Sequence, residues 1–103
     1  MKQMNQRQMK VAEEVRHIVG LALLRGDVPT TVPLSRLTVT DVWASADLRL
    51  ARLYIDIPAD MDMDATLQAL NAQVAGPLRK VLAKQLATKY IPAVSFFATE
   101  NES

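Results

Sequence analysis

Arg79, Lys80 and Lys84 follow directly on Ala75-Gly76-Pro77 in the stretch NAQVAGPLRKVLAKQL, residues 71–86. Helix-forming residues run up to Val74, Gly76 and Pro77 interrupt them, and the helical pattern resumes at Leu78. The residue before a proline is pushed away from the α region, so Gly76 is expected to break the preceding helix. Proline has no N–H to lose at the first position of a helix, so Pro77 starts the next one well. A helix beginning there presents open backbone N–H groups and the positive end of its dipole, a natural seat for a phosphate. Lys80 and Lys84, four apart, carry positive charge along the helix, with Arg79 at its boundary. Contacts of this kind give affinity for a polyanion without reading its sequence. The competing reading is structural: a tight helix pair in which Gly76 serves only close packing.

Other chemistries find less support. His17 is the sole histidine, one turn from Glu13 and beside Arg16, and no Ser-His-Asp set assembles around it. With no cysteine there is no thiolate nucleophile, disulfide or sulfur metal site. Asp56, Asp60, Asp62 and Asp64 cluster in DIPADMDMD, but a calcium loop needs a glycine at its bend and a closing glutamate. A solvated loop with a helix cap explains them better. Three glycines, Gly20, Gly26 and Gly76, make no phosphate-cradling loop. No enzyme, metal site or cofactor is expected.

The net charge of +1 hides a segregated distribution. Leu67 to Ser95 carries Arg79, Lys80, Lys84 and Lys89 and no acid; the first twelve residues carry Lys2, Arg7 and Lys10 and no acid. Such segregation points to a polyanionic partner, although solvated helix faces are also often rich in lysine.

These residues need a frame. From Gln6 to Arg25, Val11, Val15, Ile18 and Ala22 recur at helical spacing, so an amphipathic helix is expected, stopped by Gly26-Asp27 and Pro29. GDVPTTVP reads as a loop. RLTVTDVWAS reads as a strand with a bulge near Asp41, where its alternation shifts. LRLARLYIDI alternates clearly, Ala51, Leu53, Ile55 and Ile57 against Arg52, Tyr54 and Asp56, with a turn at Ser45-Ala46-Asp47 before it. Asp62 or Asp64 caps the next helix, which buries Leu67, Leu70 and Val74. The helix after the kink runs to about Thr88 and buries Leu78, Val81, Leu82 and Leu86. AVSFFA is the last strand, with either Phe96 or Phe97 in the core. Aromatic residues are few, and Tyr54 beside Arg52 is the one candidate stacking platform.

The order α-β-β-α-α-β gives an α+β domain, read here as an antiparallel sheet layered with helices. At 103 residues, 50% hydrophobic and 22% charged, the chain fits one domain, residues 1–103, with flexible polar ends at 1–5 and 99–103. No apolar run approaches the roughly 20 residues that span a bilayer, and MKQMNQRQMK lacks a signal-peptide core. A soluble, intracellular protein is expected.

QMKVAEEVRHIVGLALLRGD, LTVTDVWASADLRLARLYIDI and TLQALNAQVAGPLRKVLAKQLATKYIPAVSFF, in this order, resemble the ribosome-binding factor A family of bacterial small-subunit assembly factors. The resemblance covers about Gln6 to Phe97. Its most specific pieces are the Thr38–Ala51 run and LRKVLAKQLATKYIP, which ends at Pro92. It implies a KH-like fold with three strands and a helix–kink–helix, in which an AxG kink replaces the GxxG loop of RNA-binding KH domains. The corresponding triplet here is Val74-Ala75-Gly76, with valine in place of the first alanine and Pro77 following.

The resemblance also implies association with free 30S subunits and 16S rRNA, a part in late 30S maturation and cold adaptation, a cytoplasmic location and no catalysis. Carried onto this chain, the RNA-facing residues are Ala75, Gly76, Arg79, Lys80 and Lys84, extended by Lys10 and Lys89. Nothing in the sequence demands more than a monomer. The alternative is a protein-interaction module that pairs through an exposed strand edge, for which LARLYIDI is the candidate.

Overall fold

Helix α1 (Gln6–Arg25) has the bounds its apolar period predicts. In the computed structural model, which describes residues 3–99, Asn5 caps it: the Asn5 side chain accepts from the Gln8 amide, and the Gln8 side chain accepts from the Asn5 amide. Gln8 is itself buried, and its Nε2 donates to the Ala44 carbonyl at 2.8 Å, tying the helix start to the sheet. Gly26 ends the helix in the left-handed region (φ 67°), where a side chain would be strained, and its amide reaches back to Ala22 and Leu23. Gln8→Leu is expected to cost about 1–3 kcal/mol, because it strips partners from the Asn5 amide and the Ala44 carbonyl. Chemical denaturation of the variant and the parent checks this.

Two strands follow a single turn of 3-10 helix (Leu34–Arg36) that the sequence pattern does not announce. Strand β1 (Thr38–Ala44) pairs antiparallel with β2 (Leu50–Asp56), and the register slips between Val39 and Asp41. The expected bulge is therefore present, with Thr40 as the extra residue. The turn between the strands extends past Ser45-Ala46-Asp47 to Leu48, which takes a positive φ of 60°.

Strand β3 (Ala93–Ala98) lies beside β2 and runs parallel to it, so the sheet order is β1-β2-β3 and the sheet is mixed. The expectation of an antiparallel sheet is corrected. A hairpin reverses the chain, whereas the helical crossover between β2 and β3 returns it to the same end. One face of the sheet is covered: Val15, Val19 and Leu23 of α1 join Val42, Leu53, Ile55 and Phe96 in the core.

The crossover consists of α2 (Met63–Ala69), a π turn (Leu70–Val74) and α3 (Ala75–Gln85). Asp62, rather than Asp64, is the cap of α2 and accepts from the Ala65 amide. The break expected at Ala75-Gly76-Pro77 is corrected: residues 63–85 are helical without interruption, the irregularity is a π turn one turn earlier, and Gly76-Pro77 sits inside α3. Glycine lacks the Cβ that a following proline ring would crowd, so this pair is tolerated in a first turn. The π turn inserts an extra residue, which Val74 absorbs with φ −108°. Leu70 and Val74, at the two ends of that turn, are both fully buried. Helix α3 ends at Gln85, short of the expected Thr88, because Leu86 turns extended (ψ 125°) while its side chain stays in the core.

The ends expected to be flexible, 1–5 and 99–103, lie partly outside the described residues. Of those described, Met4 packs against the core, Asn5 is the helix cap, and the Thr99 amide donates to the Ile55 carbonyl at 2.9 Å.

Candidate nucleic-acid interface

Helix α3 buries Leu78 and Leu82 and turns Lys80 and Lys84 outward. Among the described residues the ion pairs are Arg16–Glu13 and Arg36–Asp60, so no carboxylate neutralises either lysine. Arg79 behaves differently. Its Nε and Nη2 donate to the Ile91 carbonyl at 3.2 and 2.9 Å, which braces the loop entering β3.

The expected phosphate seat on open amides is not formed. The Ala75 amide donates to the Leu70 carbonyl across the π turn, and Pro77 has no amide. A helix that continues from a preceding turn has few orphan donors at its start. The close-packing role considered for Gly76 also fails, since a Cβ placed there meets nothing within 4 Å. Gly76 is exposed and Ala75 is partly buried.

What positions α3 is a pair of amides in the π turn. Asn71 donates to the Phe96 carbonyl (3.2 Å) and accepts from the Phe96 amide (2.8 Å), so it mimics a neighbouring strand along the outer edge of β3. The Gln73 Oε1 accepts from the Thr30 hydroxyl (2.6 Å) and the Thr31 amide (3.2 Å), holding the loop after α1. Neither residue stands out in the sequence. A polar pair inside a helical run looks like a solvated face unless the π turn is known.

Lys10 and Lys89, far apart in sequence, line one surface depression together with Arg7, Glu14 and Tyr90. Arg49, which sequence reasoning missed as well, stands 4.6 Å from the centre of the Tyr90 ring. On the uncovered sheet face, the Arg52 guanidinium lies 5.0 Å from the Trp43 ring and 5.6 Å from Phe97, with Tyr54 5.8 Å from Phe97. The Tyr54–Arg52 pair thus belongs to a larger aromatic row. Strand parity alone could have grouped Trp43, but placing Phe97 there required the parallel register of β3. Phe96 is the phenylalanine in the core.

The remaining candidates are accounted for by ordinary contacts. The Arg16 guanidinium hydrogen-bonded to Glu13 holds that carboxyl below its usual range, next to an exposed His17. Arg36 does the same to Asp60, and Asp62 is the helix cap. Among the described residues no three acidic or histidine side chains come together as a metal site, and no helix is long and apolar enough to cross a membrane. The strand-edge reading is corrected: LARLYIDI forms β2, the central strand, paired on both sides.

Residues 7–102 match the family model of ribosome-binding factor A. The ribosome-binding factor A of Roseobacter denitrificans is 39% identical over 94 residues, covering 89% of this chain. The chain spans 64% of that relative's length. That of Paracoccus denitrificans is 38% identical over 98 residues, covering 93% of this chain and 70% of its own length. Among solved structures, the crystal structure of ribosome-binding factor A from Thermus thermophilus superposes with a TM-score of 0.71 at 20% identity, over 88% of this chain and 94% of its own. Coordinates of the Thermus thermophilus factor fitted into a cryo-EM map of its complex with 30S superpose at 0.63 and 20% identity, over 84% and 88%. At these identities the structures show the shared KH-like α+β fold.

Proposed function

Because this chain belongs to the ribosome-binding factor A family, we propose that it is a ribosome-binding factor that associates with the free 30S subunit and contacts 16S rRNA. It acts late in small-subunit maturation and 16S rRNA processing, including during cold adaptation, as a cytoplasmic monomer without catalysis or cofactor. One observation carries the surface assignment: Lys80 and Lys84 stand exposed on α3, and no acid among the described residues pairs with them. Phosphate groups supply the missing counter-charge, and they do so without sequence readout. Gly76, and the exposed part of Ala75, lie at the start of the same helix and flank that contact. Arg79 serves it chiefly by holding the loop before β3 in place, and Lys10 and Lys89 extend the basic surface beyond the C-terminal end of α3.

Crosslinking to immature 30S particles, with the RNA sites mapped, tests the proposal. Crosslinks from α3 concentrated within a few segments of 16S rRNA are expected. Signals scattered over the particle, or confined to ribosomal proteins, overturn it.

A further inference from the structure

The depression shared by Lys10 and Lys89 differs in kind from the face of α3. It measures roughly 370 Å³ and brings together the first turns of α1, the β1–β2 turn and the loop before β3. Arg7, Lys10 and Lys89 line it, Arg49 stands over the Tyr90 ring at 4.6 Å, and the Lys89 ammonium lies 5.4 Å from the same ring. Against the three lining cations the lining supplies one carboxylate, Glu14, while Arg49 at the rim has Asp47 nearby, whose carboxylate accepts from the Arg49 amide at 3.1 Å; among the described residues none of the four forms an ion pair. Like charges gathered on a concave wall focus a positive potential that an anion relieves. Tyr90 is 43% exposed, with Arg49 and Lys89 both standing over its ring, so a base that stacks there takes the place of one of these cations, which is then free to meet the phosphate. The backbone beneath is fixed: the Thr88 hydroxyl donates to the Tyr90 carbonyl (2.7 Å), and the Ala93 amide donates to the Arg49 carbonyl (2.8 Å).

We propose that this depression is a second RNA seat, which takes one nucleotide of an unpaired strand. Its phosphate sits among Arg7, Lys10 and Lys89, and its base stacks on Tyr90. The seat rests on the reading of the protein as an rRNA-binding factor and adds a grip apart from Lys80 and Lys84. Charge-assisted hydrogen bonds to phosphate oxygens and a ring for the base are the two elements that sequence-tolerant single-strand binding requires. A duplex keeps its bases stacked internally and gains only the phosphate part. An acidic peptide would use the same cations but not the ring.

The test uses a labelled oligouridylate, a duplex of equal length and the full chain, with binding followed by fluorescence anisotropy over a salt series. Tyr90→Leu is expected to weaken oligouridylate binding at least about fivefold, as removal of one stacked base does, while Tyr90→Phe stays near the parent and duplex binding is unmoved. Lys10→Gln with Lys89→Gln is expected to lower the single-strand salt slope by roughly 0.7 for each phosphate no longer neutralised. Thermal melting confirms that the variants are folded. The seat is overturned if Tyr90→Leu leaves single-strand binding unchanged, if it weakens duplex equally, or if a polyglutamate peptide displaces the strand from Tyr90→Leu and parent alike. Cosedimentation of the parent with 30S subunits separates the two levels. A parent that binds 30S but not oligouridylate loses only the seat, whereas one that does not bind 30S loses the reading on which the seat rests.

Discussion

Lys80→Glu with Lys84→Glu is expected to weaken 30S binding by about tenfold to a hundredfold, or about 1.4–2.8 kcal/mol, with the melting temperature nearly unchanged. Both side chains leave the core side of α3, and neither has an acid partner among the described residues, so removing their charge breaks no internal ion pair. Substitutions at such positions ordinarily stay within about 0.5 kcal/mol of the parent in stability. Binding is another matter, because each phosphate released changes the salt slope by roughly 0.7–0.9 and reversed charge adds repulsion. The milder pair Lys80→Gln and Lys84→Gln is expected to reduce the slope without that repulsion. Cosedimentation at two salt concentrations reads both effects. Parent-like binding of the glutamate pair in moderate salt removes α3 from the interface.

How far this could be read in the chain depends on whether a signal was local. The period of Val11, Val15, Ile18 and Ala22 made α1 legible from about Gln6 to Arg25, because a helix stripe and a glycine stop are both written within one element. The alternation of β2 and the slip at Thr40 were legible for the same reason. The π turn was not. Gly76-Pro77 is a strong local breaker, yet the tertiary demand to bury Leu70 and Val74 together, and to place Asn71 on β3 and Gln73 on the Thr30–Thr31 loop, moved the irregularity one turn earlier. The direction of β3 was equally hidden, since pairing between strands some forty residues apart leaves no mark in either. The site shows the same division. Lys80 and Lys84 were found by helical spacing, whereas the meeting of Lys10, Lys89, Arg49 and Tyr90 required three distant segments to be placed first.

Leu70→Ala puts that tertiary demand to a direct measurement. Leu70 is fully buried at the first position of the π turn, and Val74, at its last, is fully buried as well. Removing the larger side chain leaves a cavity, which costs about 2–5 kcal/mol when a leucine is cut to alanine in a core. A domain of this size holds about 5–15 kcal/mol in all, so the variant is expected to melt on the order of 10 °C or more below the parent. The position adds a second consequence. The π turn uses one residue more than an α turn would, and the joint burial of Leu70 and Val74 favours it, so the variant gains a reason to slide back into ordinary α geometry. Such a slide rotates α3 relative to Asn71, Gln73 and the core and carries Lys80 and Lys84 with it. Hydrogen exchange is expected to show faster opening of the Phe96 amide, held by Asn71, than of amides in the middle of β2. If the variant loses stability while the Phe96 amide keeps its protection, the π turn is held by Asn71 and Gln73, and Leu70 contributes only its volume.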